Sequence, residues 1–384
     1  MAASVIDLSV PPLDELQRRR SEKWSLFGPD VLSLTVAEMD FPVLREVRDA
    51  VTVTIERSDL GYGVPASRSL REALAAFAER RLHWQLDPDQ VTVVPDVMLG
   101  IVELCRRIAG PHGAVGFATP AYPPFFREPA LSGLSVVPVG LTAEGSINLD
   151  ELDAALRQGI RAFVLSNPHN PTGRVLPRSE LAAVAERCAE REVWVLADEI
   201  HAPLVLPGAQ HLPWLAVSDA ARRWGVALTS ASKAFNLAAL KTAFIVTADP
   251  ASRTIVEQLG PQHDHASLLG EVAAEVAFQA GDAWLDAVID QLARNREQLA
   301  TDLAERLPAV RWRLPEATYL AWLDCHGLGL TGEPADVFLE RGRVALSPGL
   351  NYGAPGAGHA RLNFATAPQH LTEAVNRMTT ALRK

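Results

Sequence analysis

Seven short runs dense in Val, Ile, Leu and Ala recur through the middle of the chain, and helical patterns separate them. They are QVTVVP (90–95), AVGFAT (114–119), LSVVPV (134–139), IRAFVLSNP (160–168), VWVLADE (193–199), GVALTSASK (225–233) and TAFIVTAD (242–249). MLGIVELCRRIA follows the first run, and SELAAVAERCAERE separates the fourth from the fifth. A continuous apolar run, without polar alternation, suits a strand buried on both faces. Strands that alternate with helices predict an α/β fold with a mostly parallel sheet. After about Gly281 the texture changes. WLDAVIDQLARNREQLATDLAERL reads as one long amphipathic helix, and VRWRL (310–314), YLAWLD (319–324) and HARLNFAT (359–366) as shorter strands before a closing helix. The expected organisation is a large domain over 50–285, with 1–49 and 286–384 forming a smaller α+β domain.

Composition narrows the function. The formal net charge is −10, and no basic stripe is present, so nucleic acid is not an expected partner. No apolar run approaches the ~18 residues of a membrane span. The start, MAASVIDLSVPPLDEL, carries acids and prolines where a signal peptide needs a basic and then an apolar stretch. Cys105, Cys188 and Cys325 lie far apart, without disulfide or zinc spacing. A cytoplasmic protein that acts on a small molecule is expected.

In open α/β sheets, ligands sit beyond the carboxyl ends of the strands. Those ends carry complementary chemistry here. The fourth run ends in SNPHNPTG, the fifth in Asp198-Glu199-Ile200-His201, and the sixth in Ser230-Ala231-Ser232-Lys233. The first leads through PDVMLG into a helix N-terminus. A helix N-terminus with hydroxyls is an anion site. A lysine beside it and a nearby carboxylate match the needs of pyridoxal phosphate: an amine for a Schiff base, and an acid for the pyridinium proton. Each residue alone has an ordinary reading: a surface lysine, a capping aspartate, a turn. Four consecutive strand ends outweigh them. HDH (263–265) reads as a loop, and no metal is expected.

The spacing of Asn170, Asp198, His201, Ser230, Lys233, Lys241 and Arg361 resembles the fold-type I pyridoxal phosphate enzymes of the class I/II aminotransferase superfamily. VAEMDFP (36–42), GYG (61–63), TPAYPPF (119–125), NPHNPTGR (167–174), DEIHAPLV (198–205) and SKAFNLAAL (232–240) resemble its cystathionine β-lyase, or cysteine-S-conjugate β-lyase, branch. The resemblance runs from about residue 20 to the C-terminus. It implies the fold-type I transferase architecture: a mixed, mostly parallel seven-stranded sheet in the large domain, and a smaller α+β domain.

It also implies roles. Lys233 forms the Schiff base and later takes the Cα proton. Asp198 pairs with the pyridine nitrogen, Asn170 and His201 lie near the phenolic oxygen, and Tyr122 stacks on the ring. Ser230, Ser232 and the amides of Val97 and Met98 hold the phosphate. Tyr62 reaches the phosphate or substrate of a neighbouring subunit, which implies a homodimer. Arg361 grips the substrate α-carboxylate through a bidentate contact suited to arginine, and the backbone around Ala37 closes on the same group. Three positions depart from the pattern. Lys241 stands where relatives have a phosphate-binding arginine, Asp96 where they often have glycine, and Glu38 where aspartate is common. Asp96 is expected to cap the helix that follows.

The activity implied is α,β-elimination from L-cystathionine or related cysteine S-conjugates, giving a thiol, pyruvate and ammonia. An aminotransferase uses the same Cα proton abstraction, and spacing does not separate the two. A non-catalytic regulator on this fold is a remote alternative: a DNA-binding one would carry a further domain ahead of the fold, where only ~20 residues precede the matched region, whereas one acting through protein contacts stays open. The stretch around Tyr319 and the Gly-rich loop after Tyr352 have no place assigned by sequence.

Overall fold

The computed structural model describes residues 6–63, 67–259 and 265–383. Its strands are β1 (Leu32–Ser33), β2 (Val91–Val94), β3 (Ala114–Thr119), β4 (Ser135–Gly140), β5 (Ile160–Ser166), β6 (Trp194–Asp198), β7 (Gly225–Thr229), β8 (Ala243–Val246), β9 (Leu320–Asp324), β10 (Val344–Ala345), β11 (Ser347–Pro348) and β12 (His359–Asn363). Seven of them form one sheet in the order β2-β8-β7-β6-β5-β3-β4. Every pairing in it is parallel except those of β8, which runs antiparallel to β2 and β7.

The sheet explains the unbroken apolar runs. Successive side chains of a strand point to opposite faces. Phe163 and Leu165 of β5 and Val195 and Ala197 of β6 enter one core, with Leu181, Val184 and Cys188 from helix Arg178–Glu190. Ala162 and Val164 of β5 and Trp194 and Leu196 of β6 enter the other, with Ile101, Leu104 and Cys105 from helix Val97–Ala109. Both faces are covered, so neither tolerates polar residues.

The C-terminal part is built differently. Helix Asp282–Arg306 spans roughly 37 Å at 1.5 Å per residue. It buries Leu285, Val288, Leu292, Leu299 and Leu303 at helical spacing. Asn295, fully buried in the same helix, donates to the carbonyls of Phe364 and Thr366 at 2.8 Å each. It thereby ties the chain after β12 to the helix. Strands β11, β12 and β9 form an antiparallel sheet, and β1 pairs in parallel with β10. VRWRL is not a strand. Only Arg311 makes a bridge, to Asp324, Leu314 is 43% exposed, and Pro315 then supplies no N–H to continue a ladder. Among the described residues, no helix is long and apolar enough to cross a membrane.

Candidate active site

The carboxyl ends of β5, β6 and β7 are stitched together by their own backbone. Asn167 donates its amide to the Asp198 carbonyl (3.0 Å), and Glu199 donates to that of Leu228 (2.9 Å). This brings the chemistry of three runs to one edge. Asp198 is 7% exposed and accepts from the Ile200 amide at 3.1 Å. Among the described residues, no cation stands within ion-pair distance of it. Burial pushes its pKa up to about 6, against the Ile200 hydrogen bond and the Lys233 charge. A carboxyl poised there gains most from a cationic N–H partner. Glu199 beside it is structural, since it accepts from the Trp214 amide at 2.6 Å.

Lys233 lies in the short helix Ala231–Ala234 that follows β7. Its Nζ donates to the Ala37 carbonyl at 2.9 Å. Burial, then the Arg361 charge, lower its pKa to about 8. A sizeable neutral fraction near neutral pH makes it a competent nucleophile and base. The Ala37 carbonyl also accepts from the Tyr319 hydroxyl at 3.0 Å. The segment around Ala37 is held from both sides: Asn363 donates to the carbonyls of Val36 and Glu38 at 2.7 Å each, and Asn236 exchanges two 2.9 Å bonds with the Met39 backbone.

Arg361 of β12 is 4% exposed. It donates to Asn170 Oδ1 (3.1 Å) and Ser347 Oγ (3.3 Å), and sits over the Tyr352 ring at 5.1 Å. Its Nε has no hydrogen-bond partner. Among the described residues, no carboxylate lies within ion-pair distance of it. Asn170 is left with its amide NH₂ as a donor. His201, also buried, has an unpartnered Nδ1. Burial, with Lys233 and Arg361, lowers its pKa to about 3, so the imidazole is neutral. Tyr122 is half-buried, and burial pushes its pKa to about 12, so its hydroxyl keeps its proton.

The anion end has a different character. Asp96 caps helix Val97–Ala109 by accepting from Leu99 at 2.7 Å. The amides of Val97 and Met98, in the first turn, have no intrahelical acceptor. The other Asp96 oxygen meets Lys241 Nζ at 2.8 Å. Ser230 caps the next helix: its hydroxyl donates to the Thr242 carbonyl (2.6 Å) and accepts from the Ser232 amide (3.0 Å). Its proton is therefore committed, whereas Ser232 Oγ has no such commitment. Tyr62 stands outside the constellation at 96% exposure, its nearest ring partner being His265 at 6.4 Å. His263 and Asp264 of the HDH stretch lie outside the described residues.

Sequence reasoning did not single out Ser347, Asn363 or Asn236, and it gave Tyr319 and Tyr352 no place. The signal for Asn363 was its position two residues after Arg361, on the same strand. Gly353 shows why the Gly-rich loop must start as it does. Its φ is +102°, and a Cβ there would meet Phe126 and Thr119 at 2.8 Å. The loop thus closes on the end of β3, where Ala121 donates to the Tyr352 carbonyl at 2.9 Å.

Comparison with known proteins agrees with this chemistry. The family model for aminotransferase class I and II matches residues 29–378. A Mycobacterium tuberculosis (strain ATCC 25618 / H37Rv) protein provisionally named cystathionine β-lyase is 40% identical, over 97% of this chain and 98% of its own. The cystathionine β-lyase of Corynebacterium glutamicum is 34% identical, over 97% and 99%. A solved structure from Corynebacterium diphtheriae, provisionally named a PLP-dependent β-cystathionase, superposes with a TM-score of 0.94 at 34% identity, covering 98% of this chain and all of that one. Similarity of this depth, along nearly the whole chain, makes this protein a member of the aminotransferase class I and II family, in its cystathionine β-lyase branch.

Proposed function

We propose that this protein is a pyridoxal phosphate-dependent carbon–sulfur β-lyase. It cleaves L-cystathionine or related cysteine S-conjugates to a thiol, pyruvate and ammonia. The observation that carries the reading is Arg361: a buried guanidinium without a carboxylate, in a site whose lysine is held near pKa 8. A buried charge left unpaired is costly, so a site that keeps one is built for an anion that arrives later.

The residues fit the cofactor. Lys233 is the amine for its aldehyde carbon, and Asp198 the acid for its ring N–H. The Asn170 amide and the neutral His201 suit its phenolic oxygen, and Tyr122 its ring face. Ser232, the Val97 and Met98 amides and Lys241 suit the phosphate, and Ser230 orders that turn through its cap. When bound, the cofactor supplies an electron sink for the pair left at the substrate Cα.

The chain's own residues do the rest. Arg361 takes the α-carboxylate, using the fork now shared between Asn170 and Ser347. Lys233, released from the Ala37 carbonyl, removes the Cα proton. The Cβ–S bond then breaks, the thiol leaves, and the enamine is hydrolysed to pyruvate and ammonia. The Ala37 carbonyl, an acceptor, serves Lys233 and not the carboxylate; its neighbouring backbone closes the pocket.

Three further features belong to the same reading. We infer a homodimer, supported by the exposure of Tyr62 at 96% and Leu60 at 59% on one face. The second copy covers that face and receives Tyr62. The division into 50–285, and 1–49 with 286–384, is supported by separate sheets, with helix Asp282–Arg306 joining the two. A cytosolic setting is supported by three buried, unpaired cysteines.

The test is pyruvate release from L-cystathionine by protein supplied with pyridoxal phosphate and no 2-oxo acid. Multiple turnovers are expected. If no pyruvate forms, but an amino acid bleaches the visible band and a 2-oxo acid restores it, the protein is an aminotransferase.

A further inference from the structure

On the small domain, away from the strand-end cluster, three metal-ligating side chains meet. Asp324 ends β9, His359 opens β12, and the two are direct partners across that antiparallel pair. His326 follows in the turn His326–Leu328. Each residue brings one ligand atom, a carboxylate oxygen or an imidazole nitrogen, to within 4.8 Å of the other two. We propose that Asp324, His326 and His359 form a binding site for a divalent transition-metal ion of the zinc class.

The surroundings orient the ligands as metal sites require. His359 Nδ1 lies 2.9 Å from the Ala357 carbonyl. A carbonyl only accepts, so Nδ1 carries the proton and Nε2 keeps its lone pair. The His359 ring is stacked on Trp322, with centroids 5.1 Å apart and planes 13° apart. That contact fixes its rotation. His326 Nδ1 faces Asp324 Oδ1 at 2.7 Å, a distance at which the two share a proton. An ion in the proton's place needs donors roughly 3.3 Å apart, for tetrahedral bonds of about 2.0 Å. His326, with a side chain 63% exposed, is free to open by that amount and to take its other tautomer. Gly358 makes the approach possible, because a Cβ on it would meet the His326 ring at 2.4–2.8 Å.

Two imidazoles and one carboxylate suit zinc, nickel or copper better than magnesium or calcium. Three protein ligands leave a coordination position open to water. The ion joins β9 to β12, two residues from Arg361, and so braces the sheet that carries the proposed carboxylate clamp. Spacing along the chain did not suggest it, because His359 arrives from a different strand.

The test uses tag-free, cofactor-loaded protein and zinc ions alone, read by titration calorimetry. Wild type is expected to take up one zinc per chain that His326→Ala does not. Removing that ligand should weaken the site by at least about tenfold. His326 lies on an exposed turn outside the sheet, so this variant keeps the fold, and circular dichroism checks it. Copper ions supply a second readout. They should quench wild-type fluorescence more than that of Trp322→Phe or His326→Ala, because the ion sits beside the Trp322–His359 stack. Equal zinc uptake and affinity in wild type and His326→Ala would overturn the proposal. So would the absence of wild-type binding at millimolar zinc.

Discussion

Among the described residues, Lys23 and Arg361 are two cations buried under opposite conditions. Lys23 is fully buried, 2.9 Å from the equally buried Asp40. It also donates to the Glu38 carbonyl at 3.3 Å, and Trp24 gives Asp40 a second bond at 2.9 Å. Arg19 stands 3.9 Å from the other Asp40 oxygen, so the buried lysine and carboxylate both have charged partners. Arg361 is buried to nearly the same degree, yet it has only neutral acceptors and an unpartnered Nε. The first arrangement anchors the segment around Ala37. The second is unfinished until an anion enters. Burial of charge thus marks structure where it is paired and function where it is not.

This contrast can be broken by mutation, and the largest effect belongs to the third cation. Lys233→Ala should lower turnover by roughly 10²–10⁴-fold or more, and remove the visible band of the cofactor-loaded protein. Steady-state kinetics and absorbance read both; a retained band would sink the cofactor assignment. Asp40→Ala opens the closed pair. Leaving Lys23 buried without its carboxylate should cost about 3–5 kcal/mol of folding stability, measured by urea denaturation. An unchanged midpoint would mean that Lys23 escapes to water.

Arg361→Ala should act on binding instead of folding. It should reduce kcat/KM for amino-acid substrates by on the order of 2–5 kcal/mol. The same change should leave the stability of the ligand-free protein unchanged or raise it, since an unpaired buried charge has been removed. A large loss of stability would make Arg361 structural, like Lys23.

The most gradual effect is a slope in pH. The Lys233 pKa is lowered from 10.5 to about 8 in the folded chain. Between those values the unfolded chain binds the extra proton, so stability rises with pH. The contribution of this lysine should therefore grow from about pH 8 toward 10.5. Denaturant midpoints of ligand-free wild type should gain on those of Lys233→Met across this window. Parallel curves would mean that the amine is not desolvated.

Legibility followed the same physics. AVGFAT matches β3 residue for residue, because a strand sandwiched between two helix layers must be apolar throughout. VRWRL misled because alternation is a weaker signal, and a single bridge to Asp324 replaced the expected ladder. At the site, Asp198, Asn170 and Lys233 stood out because each lies at or just beyond the end of a strand. Asp96 was readable as a cap, since that bond spans only three residues. Its second role was not, because Lys241 is 145 positions away.

From sequence alone came the α/β class, the positions of the seven strands of the large sheet and the residues capable of amine, acid and anion chemistry. Those follow from local patterns of burial and from residue types at strand ends. Tertiary structure decided which groups are paired. It set the Lys233 amine on a carbonyl 196 residues away, left Arg361 without a carboxylate, and brought His359 beside Asp324 and His326. Pairing is a property of distance in space, and a chain's order carries that only after it has folded.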